Sequence, residues 1–471
     1  MSQANQRPLV DALPETRAFT LTGASPSPRV LSFRLLHIVR MVIRADSDPA
    51  RQALFANLMQ AHLWVRFALR LHGHVRGTWA SAFVIGSYGL LAFLSVAPPR
   101  NRGARVLAIA KHENARRQVA RVASWIGPAD YGLVRMGLKA RLGFSALVDL
   151  ARLLRRGRVV KVLRVARAIE HRHGLMVSCR AIGAIAWYAR ALAILAEDRP
   201  CALLVSSDSN PEELGFVGAA RAMKIPQVFI SHAYPTPLSP PLDFSLSILE
   251  GHAAVEARRR KGPIRGKVLL AGIEGDSVPL DAVRFCRPNP VIGVFTPKAV
   301  AWPTLAAIID DCRRHFDARQ VVIRWHPSML ERPRLVDWVP DLSGIVEASS
   351  TAPIGDVAAQ CDWVIADENS NVHLPVLKLG IPTVNVRNLG PYPASRSDLY
   401  GFVANGIVLP PVTSIRDVEA DALRRFFSEG WSRRFEQYDV SYMRPHGAVG
   451  REVRQAIWAL FEDSTSTPPM E

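Results

Sequence analysis

Short apolar runs that stop abruptly on polar clusters recur along this chain. Val321-Val322-Ile323-Arg324-Trp325 ends at His326-Pro327, and Trp363-Val364-Ile365-Ala366 ends at Asp367-Glu368-Asn369-Ser370-Asn371. Such runs, without polar alternation, are the pattern of strands buried on both faces, as in parallel sheets. Open sheets of that kind bind ligands at the carboxyl edge of their strands. The pairing of a His-Pro with a small polar Asn-Ser-Asn at such an edge suits an anionic ligand such as a nucleotide.

The same pattern organises the rest of the chain. Arg105–Ala110 reads as a strand followed by a helix from Glu113. Cys201–Ser207 is a strand that ends on Asp208-Ser209-Asn210-Pro211, and Glu212–Met223 is the helix after it. Gln227–Ile230 follows as the next strand, ending at Ser231-His232-Ala233, which makes a strand–helix–strand unit and a parallel connection. Arg287-Pro288-Asn289-Pro290 reads as a linker. Beyond it come strands at Val291–Phe295, Val321–Trp325, Trp363–Ala366 and Thr383–Val386, with helices between them and an amphipathic helix over Gly450–Phe461. A chain of 471 residues exceeds one ordinary core. The expected architecture is α/β, with two facing doubly wound domains and a helical N-terminal extension. Its parts are residues 1–100, an N-terminal α/β domain over 101–287 on the acceptor side, and a C-terminal α/β domain over 288–471 for a nucleotide donor.

Composition sets the function classes. Hydrophobic residues make up 49% and charged residues 21%, a globular balance, while the net charge of +18 favours anionic partners. The five cysteines (Cys179, Cys201, Cys286, Cys312, Cys361) show no C-x-x-C spacing, so neither a zinc site nor a disulfide framework is expected, and a reducing cytoplasm fits. Residues 1–28 lack a basic-then-apolar leader. Residues 29–76 read as basic, apolar helices suited to a helical cap or an anionic membrane surface. Thr78–Pro98 is uncharged and just long enough to cross a bilayer, but Gly86, Gly89 and three serines favour a buried helix or a surface-dipping hairpin over a span.

The chain carries no G-x-G-x-x-G after a strand, no P-loop, no H-E-x-x-H and no G-x-S-x-G. The chemistry is left to the strand-end clusters. A His held by the next residue's proline can donate to a phosphate oxygen and, when protonated, meet negative charge, although a lone His more often serves structure. Asn369 and Ser370 read as a helix cap or, by the same geometry, as phosphate ligands. Lys298, after the strand at Val291–Phe295, could add charge. Asp208, Glu212 or His232 could take a proton from an acceptor hydroxyl, with helix capping the other reading for Asp208.

The spacing of His326-Pro327 and Asp367-Glu368-Asn369-Ser370 resembles the second domain of a group of bacterial GT-B transferases. The group includes the teichoic-acid polymerases that use CDP-glycerol, bacterial polysialyltransferases and capsule Kdo transferases. Ile365-Ala366-Asp367 and Leu379-Gly380-Ile381-Pro382-Thr383-Val384 are similar to that pattern as well, and the layout extends over about residues 104–460. The resemblance implies that His326, Pro327, Glu368, Asn369 and Ser370, with Lys298, hold the donor's phosphate. Asn369 stands where the family has a Ser. Gln227–Ala233 looks like the strand ending in His-Gly of the glycerophosphotransferase branch, with Ala233 in place of the Gly and no Lys at the usual place after it.

The resemblance implies a metal-independent glycosyltransferase with no cofactor beyond its nucleotide-sugar donor, CMP- or CDP-linked. Its acceptor would be a cell-surface polysaccharide or glycolipid, and its place the cytoplasm, peripheral to the inner face of the membrane. The alternatives are a nucleotide-sugar 2-epimerase on the same fold, or a non-catalytic polysaccharide-assembly or RNA-binding protein. No recognised nucleic-acid motif is present.

Overall fold

The computed structural model describes residues 78–136, 158–231, 234–235, 239–273, 276–327, 329, 334–390, 398–428, 430–444 and 446–465. The expected helices over 29–76, and His232 with Ala233, lie outside the described residues.

The first lobe holds β1 (Val96–Ala97), β2 (Val106–Ile109), β3 (Tyr131–Leu133), β4 (Arg135–Met136), β5 (Ala202–Val205), β6 (Gln227–Ile230), β7 (Asp243–Leu249) and β8 (Arg265–Leu270). Its helices are α1 (Thr78–Leu94), α2 (Glu113–Ile126), α3 (Arg158–His173), α4 (Leu175–Asp198), α5 (Pro211–Ala222) and α6 (His252–Arg259). Six strands form one parallel sheet in the order β3-β2-β5-β6-β7-β8, while β1 and β4 pair as a separate antiparallel ribbon. The second lobe holds β9 (Val291–Phe295), α7 (Trp302–Arg314), β10 (Gln320–Arg324), β11 (Ile345–Ala348), α8 (Ile354–Ala358), β12 (Trp363–Asp367), α9 (His373–Lys378) and β13 (Thr383–Val386). These strands make a second parallel sheet, β11-β10-β9-β12-β13. The architecture is therefore the expected GT-B-like one, two doubly wound α/β lobes.

Strand burial explains why the apolar runs were so legible. All residues of β2, β5, β6, β9, β12 and β13 are buried. Helices cover both faces of the first sheet. On one face α1, α3, α4 and α5 form a layer so close-packed that a Cβ on Gly215 of α5 would come within 2.8 Å of the Ala184 carbonyl in α4. Gly174 separates α3 from α4. α4 is the one described helix long and apolar enough to cross a membrane, but 61% of its apolar window is buried inside the lobe. α1 likewise buries Ile85, Ala92 and Phe93 and leaves Phe83, Leu90 and Leu91 exposed.

Three further helices follow β13: α10 (Ala420–Ser428), α11 (Trp431–Tyr438) and α12 (His446–Thr465). The boundary read at residue 288 assigns α12 to the second lobe, but it packs on the first sheet. Val449, Val453, Ile457, Leu460 and Phe461 lie at helical spacing and share a buried cluster with Val106, Ala108, Leu204 and Val228. Among the described residues the chain thus crosses between lobes at 276–290 and at 438–444, and one buried side chain ties the crossings together. Asp439 accepts hydrogen bonds from Ile273 N at 2.9 Å, Ser441 N at 3.0 Å and Ser441 Oγ at 2.7 Å, and pairs with Lys378 of α9 at 3.1 Å.

Candidate functional site

In each sheet the strand order reverses at one place, between β2 and β5 in the first lobe and between β9 and β12 in the second. Loops at such a reversal leave the sheet on opposite faces and open a crevice at the carboxyl edge, where ligands of open α/β sheets bind. The second-lobe crevice lies between Thr296-Pro297-Lys298, after β9, and Asp367–Ser370, at the end of β12. His326 follows β10, on the other side of β9. Its backbone N–H donates to Thr296 Oγ1 at 3.2 Å, which ties the His-Pro turn to the crevice.

The environment of His326 changes the charge argument. The ring is half-buried and its pKa is lowered to about 4 by burial and by the positive charges of Lys298 and Arg324. At neutral pH it is an uncharged imidazole that donates one N–H, not the imidazolium considered above. Positive charge near it comes from the exposed Lys298 and from Arg324, whose guanidinium donates to Ala352 O at 2.9 Å. Pro327 is exposed beside the ring.

The turn after β12 is tightly built. Asp367 is buried, and its carboxylate accepts Asn369 N at 3.0 Å and Gly390 N at 2.9 Å. Ser370 N donates to Asp367 O at 2.9 Å, and Ser370 Oγ accepts Val372 N at 3.3 Å. Asn369 Oδ1 accepts Leu399 N at 3.3 Å, so this side chain holds the 398–400 segment against the site. The helix-cap reading needs correction: α9 starts at His373 with Val372 in the cap position and no side-chain cap bond. Asn369 and Ser370 belong to the turn ahead of it, which leaves their side chains at the sheet edge rather than on a helix end.

Glu368 is buried, with Oε2 lacking a hydrogen-bond partner among the described residues. Burial, then the neighbouring Asp367, raises its pKa, and Arg387 partly opposes them. Sequence reasoning passed over His373. Fully buried, it contacts Thr383 Oγ1 at 2.9 Å and the Asp367 carbonyl at 3.3 Å, bracing the turn from below. Burial lowers its pKa to about 4, so it too is neutral.

In the first lobe, Asp208 forms an ion pair with Arg258 of α6, whose side chain is almost wholly buried. Arg258 also donates to Pro240 O at 2.8 Å. Asp208 is thereby committed to an arginine, an arrangement that opposes the general-base role considered for it. Nor does it cap α5: the cap position is Asn210, without a side-chain cap bond, and Ser207 Oγ holds the turn by accepting Asn210 N at 3.1 Å. Glu212 is buried at the first-lobe crevice and ion-paired with Lys111, the second residue after β2. Glu213 beside it was not singled out by sequence. It is fully buried, and burial followed by the Glu212 charge raises its carboxyl to about 8.

The lobes meet next to these edges. Tyr234 stacks on Tyr438 of α11 at 4.1 Å between ring centroids, and Tyr438 Oη donates to Tyr400 O at 3.0 Å. The 398–405 segment therefore touches Asn369 on one side and this ring pair on the other. Among the described residues no group of three or more His, Cys, Asp or Glu is placed to hold a metal ion.

No family model matches the sequence, and no curated protein sequence matches it. Solved structures with similar folds include the Staphylococcus aureus MnaA–UDP complex, at 10% identity and a TM-score of 0.44 over 75% of this chain and 96% of that one. The UDP-GlcNAc 2-epimerase of Neisseria meningitidis bound to UDP-GlcNAc is similar at 12% identity and TM-score 0.42, over 75% and 99%. The glycosyltransferase SnogD of Streptomyces nogalater is similar at 15% identity and TM-score 0.33, over 61% and 76%. At these values the likeness decides nothing about this chain's chemistry.

Proposed function

We propose that this chain is a nucleotide-sugar-dependent glycosyltransferase whose donor phosphate binds at the second-lobe crevice. One observation carries the reading. His326, Lys298, Asn369 and Ser370, read separately from three strand-ends, gather around the strand reversal between β9 and β12 and face a lobe whose own reversal carries charged groups. His326 gives a phosphate oxygen one N–H, Ser370 and Asn369 give polar contacts, and Lys298 supplies the charge. An incoming phosphate offsets the positive neighbours that depress His326, so binding raises its pKa and draws in a proton. Glu368, with a raised carboxyl pKa, is suited to accept a hydrogen bond from a sugar or ribose hydroxyl.

The donor class proposed is CMP- or CDP-linked, and the acceptor a cell-surface polysaccharide or glycolipid. The net charge of +18 and the exposed Phe83, Leu90 and Leu91 of α1 support a place against an anionic membrane on its cytoplasmic side. Isothermal titration with CMP, CDP, UDP and GDP tests the reading. One nucleotide should bind selectively, and His326→Ala should weaken it at least tenfold while leaving the unfolding temperature unchanged. Equal affinity in the variant would remove His326 from the site. Turnover of a nucleotide sugar to a free epimer, with no transfer, would assign the crevice to epimerisation instead.

A further inference from the structure

β8 is the last strand of the first sheet. It pairs with β7 on one side and, among the described residues, with no strand on the other. Its 6 residues run from exposed at Arg265 to half-buried at Leu270. Ala271 N, just beyond the strand, donates to Leu249 O at 2.9 Å. Backbone groups alternate along a strand, so those of Val268 and Leu270 point away from β7, toward the open edge. Side chains alternate as well. Gly266, Val268 and Leu270 line one wall of a groove of about 680 Å³, and Val255 and Arg259 of α6 line the other, with Ile264 between them. Lys267 and Leu269 take the opposite face of the strand, where Leu269 packs against the cluster that holds α12. The charge at this edge is one-sided, for Arg259, Arg260, Lys261, Arg265 and Lys267 are all exposed. The nearby carboxylates are already paired, Glu256 with Arg259 at 2.9 Å and Asp243, opposite Arg265 in the register, with Arg221 at 3.0 Å.

We propose that β8 receives an added strand from a partner protein, an extended segment in which apolar and acidic residues alternate. In strand addition the main chain of the peptide satisfies the open edge, and pockets for alternate side chains select its sequence. Every second side chain of the added strand falls into the groove, against Ile264, Val268 and Leu270. The others fall on the face of Lys267, with Arg265 and Lys261 at the amino end of β8, where carboxylates complement the charge. The same basic residues oppose a second copy of this chain, because pairing β8 with itself brings like charges together. A flat anionic lipid surface would meet these charges but would neither fill the groove nor pair the backbone.

The probe is a short fluorescent peptide alternating aspartate with valine, followed by anisotropy on the full chain. Its comparators are a lysine–valine peptide and the same aspartate–valine peptide N-methylated at alternate residues, which cannot pair as a strand. Wild type should bind the acidic peptide at least about tenfold more tightly than either comparator. Val268→Pro, which removes an outward N–H at an edge position that tolerates proline, should weaken binding by about tenfold. Lys267→Glu with Arg265→Glu should do the same by reversing the charge, by about tenfold or more. Hydrogen exchange should slow at Val268 and Leu270 when the peptide is bound. If Val268→Pro does not fold, the charge-reversed variant and the methylated peptide decide. Equal binding of the methylated or the lysine peptide would overturn strand addition. Phosphatidylglycerol vesicles bound through Lys267 and Arg265, with the peptide ignored, would make the edge a membrane contact and sink the proposal. A dimer seen by ultracentrifugation and abolished by Val268→Pro would assign the edge to a second copy and sink it equally.

Discussion

The Asp439–Lys378 pair is the most exposed point in the account of how the lobes are held, because nearly all its energy depends on burial. The Asp439 side chain is fully buried and that of Lys378 is 3% exposed. Lys378 also donates to Ile273 O at 2.8 Å and Ser441 Oγ at 3.1 Å. Asp439→Ala removes the counter-charge together with the acceptor for Ile273 N, Ser441 N and Ser441 Oγ. Breaking a buried pair by deleting one partner costs about 3–5 kcal/mol. Lys378→Met should cost less, about 2 kcal/mol, since Asp439 keeps three donors and a hydrogen bond to a charged group is worth roughly 1.5–3 kcal/mol.

The pH dependence sharpens that test. Burial already lowers the Lys378 pKa, and Asp439 opposes the shift. Without Asp439 the lysine pKa falls further below its ordinary 10.5, so between the lowered folded value and 10.5 the unfolded chain binds the extra proton. Stability of Asp439→Ala therefore rises with pH through that window. Guanidinium unfolding of both single variants and the double variant, followed by tryptophan fluorescence, gives the coupling energy. If Asp439→Ala lost under about 1 kcal/mol, or proved cheaper than Lys378→Met, the argument that this pair pins the two crossings would be wrong.

Two further outcomes follow from other buried groups. Glu213→Gln should stabilise the protein increasingly from pH 4.5 to about 8 and then level off. The raised carboxyl costs wild type stability across that window as the unfolded chain ionises first, and melting temperatures against pH check it. Gly251→Ala should separate the lobes, because a Cβ would come within 2.6 Å of the Gln437 carbonyl in α11. Small-angle scattering should show a larger radius of gyration, and an unchanged radius would count against the tight approach.

Particular residues show where the sequence could be read and where it could not. The strands of the second sheet were legible because burial on both faces leaves an unbroken apolar run, and His326, Asn369 and Ser370 stand where those runs stop. β7 was passed over because Asp243-Phe244-Ser245-Leu246-Ser247 alternates, and the short β11 is half exposed. The uncharged state of His326 was not legible either, since it depends first on burial and then on the charge of Lys298, which comes from the neighbouring strand-end, beside that of Arg324.

The sequence by itself determined two doubly wound sheets and the polar edges at which a ligand can sit, since these follow from local runs of side chains and the turns that end them. The tertiary structure alone decided which of those polar groups are already spent. Arg258 reaches Asp208 from 50 residues away, α12 returns to the first lobe, and Asp439 joins two chain crossings 166 residues apart. Burial and pairing are properties of what packs against a residue, and that is set by chain segments far away in sequence.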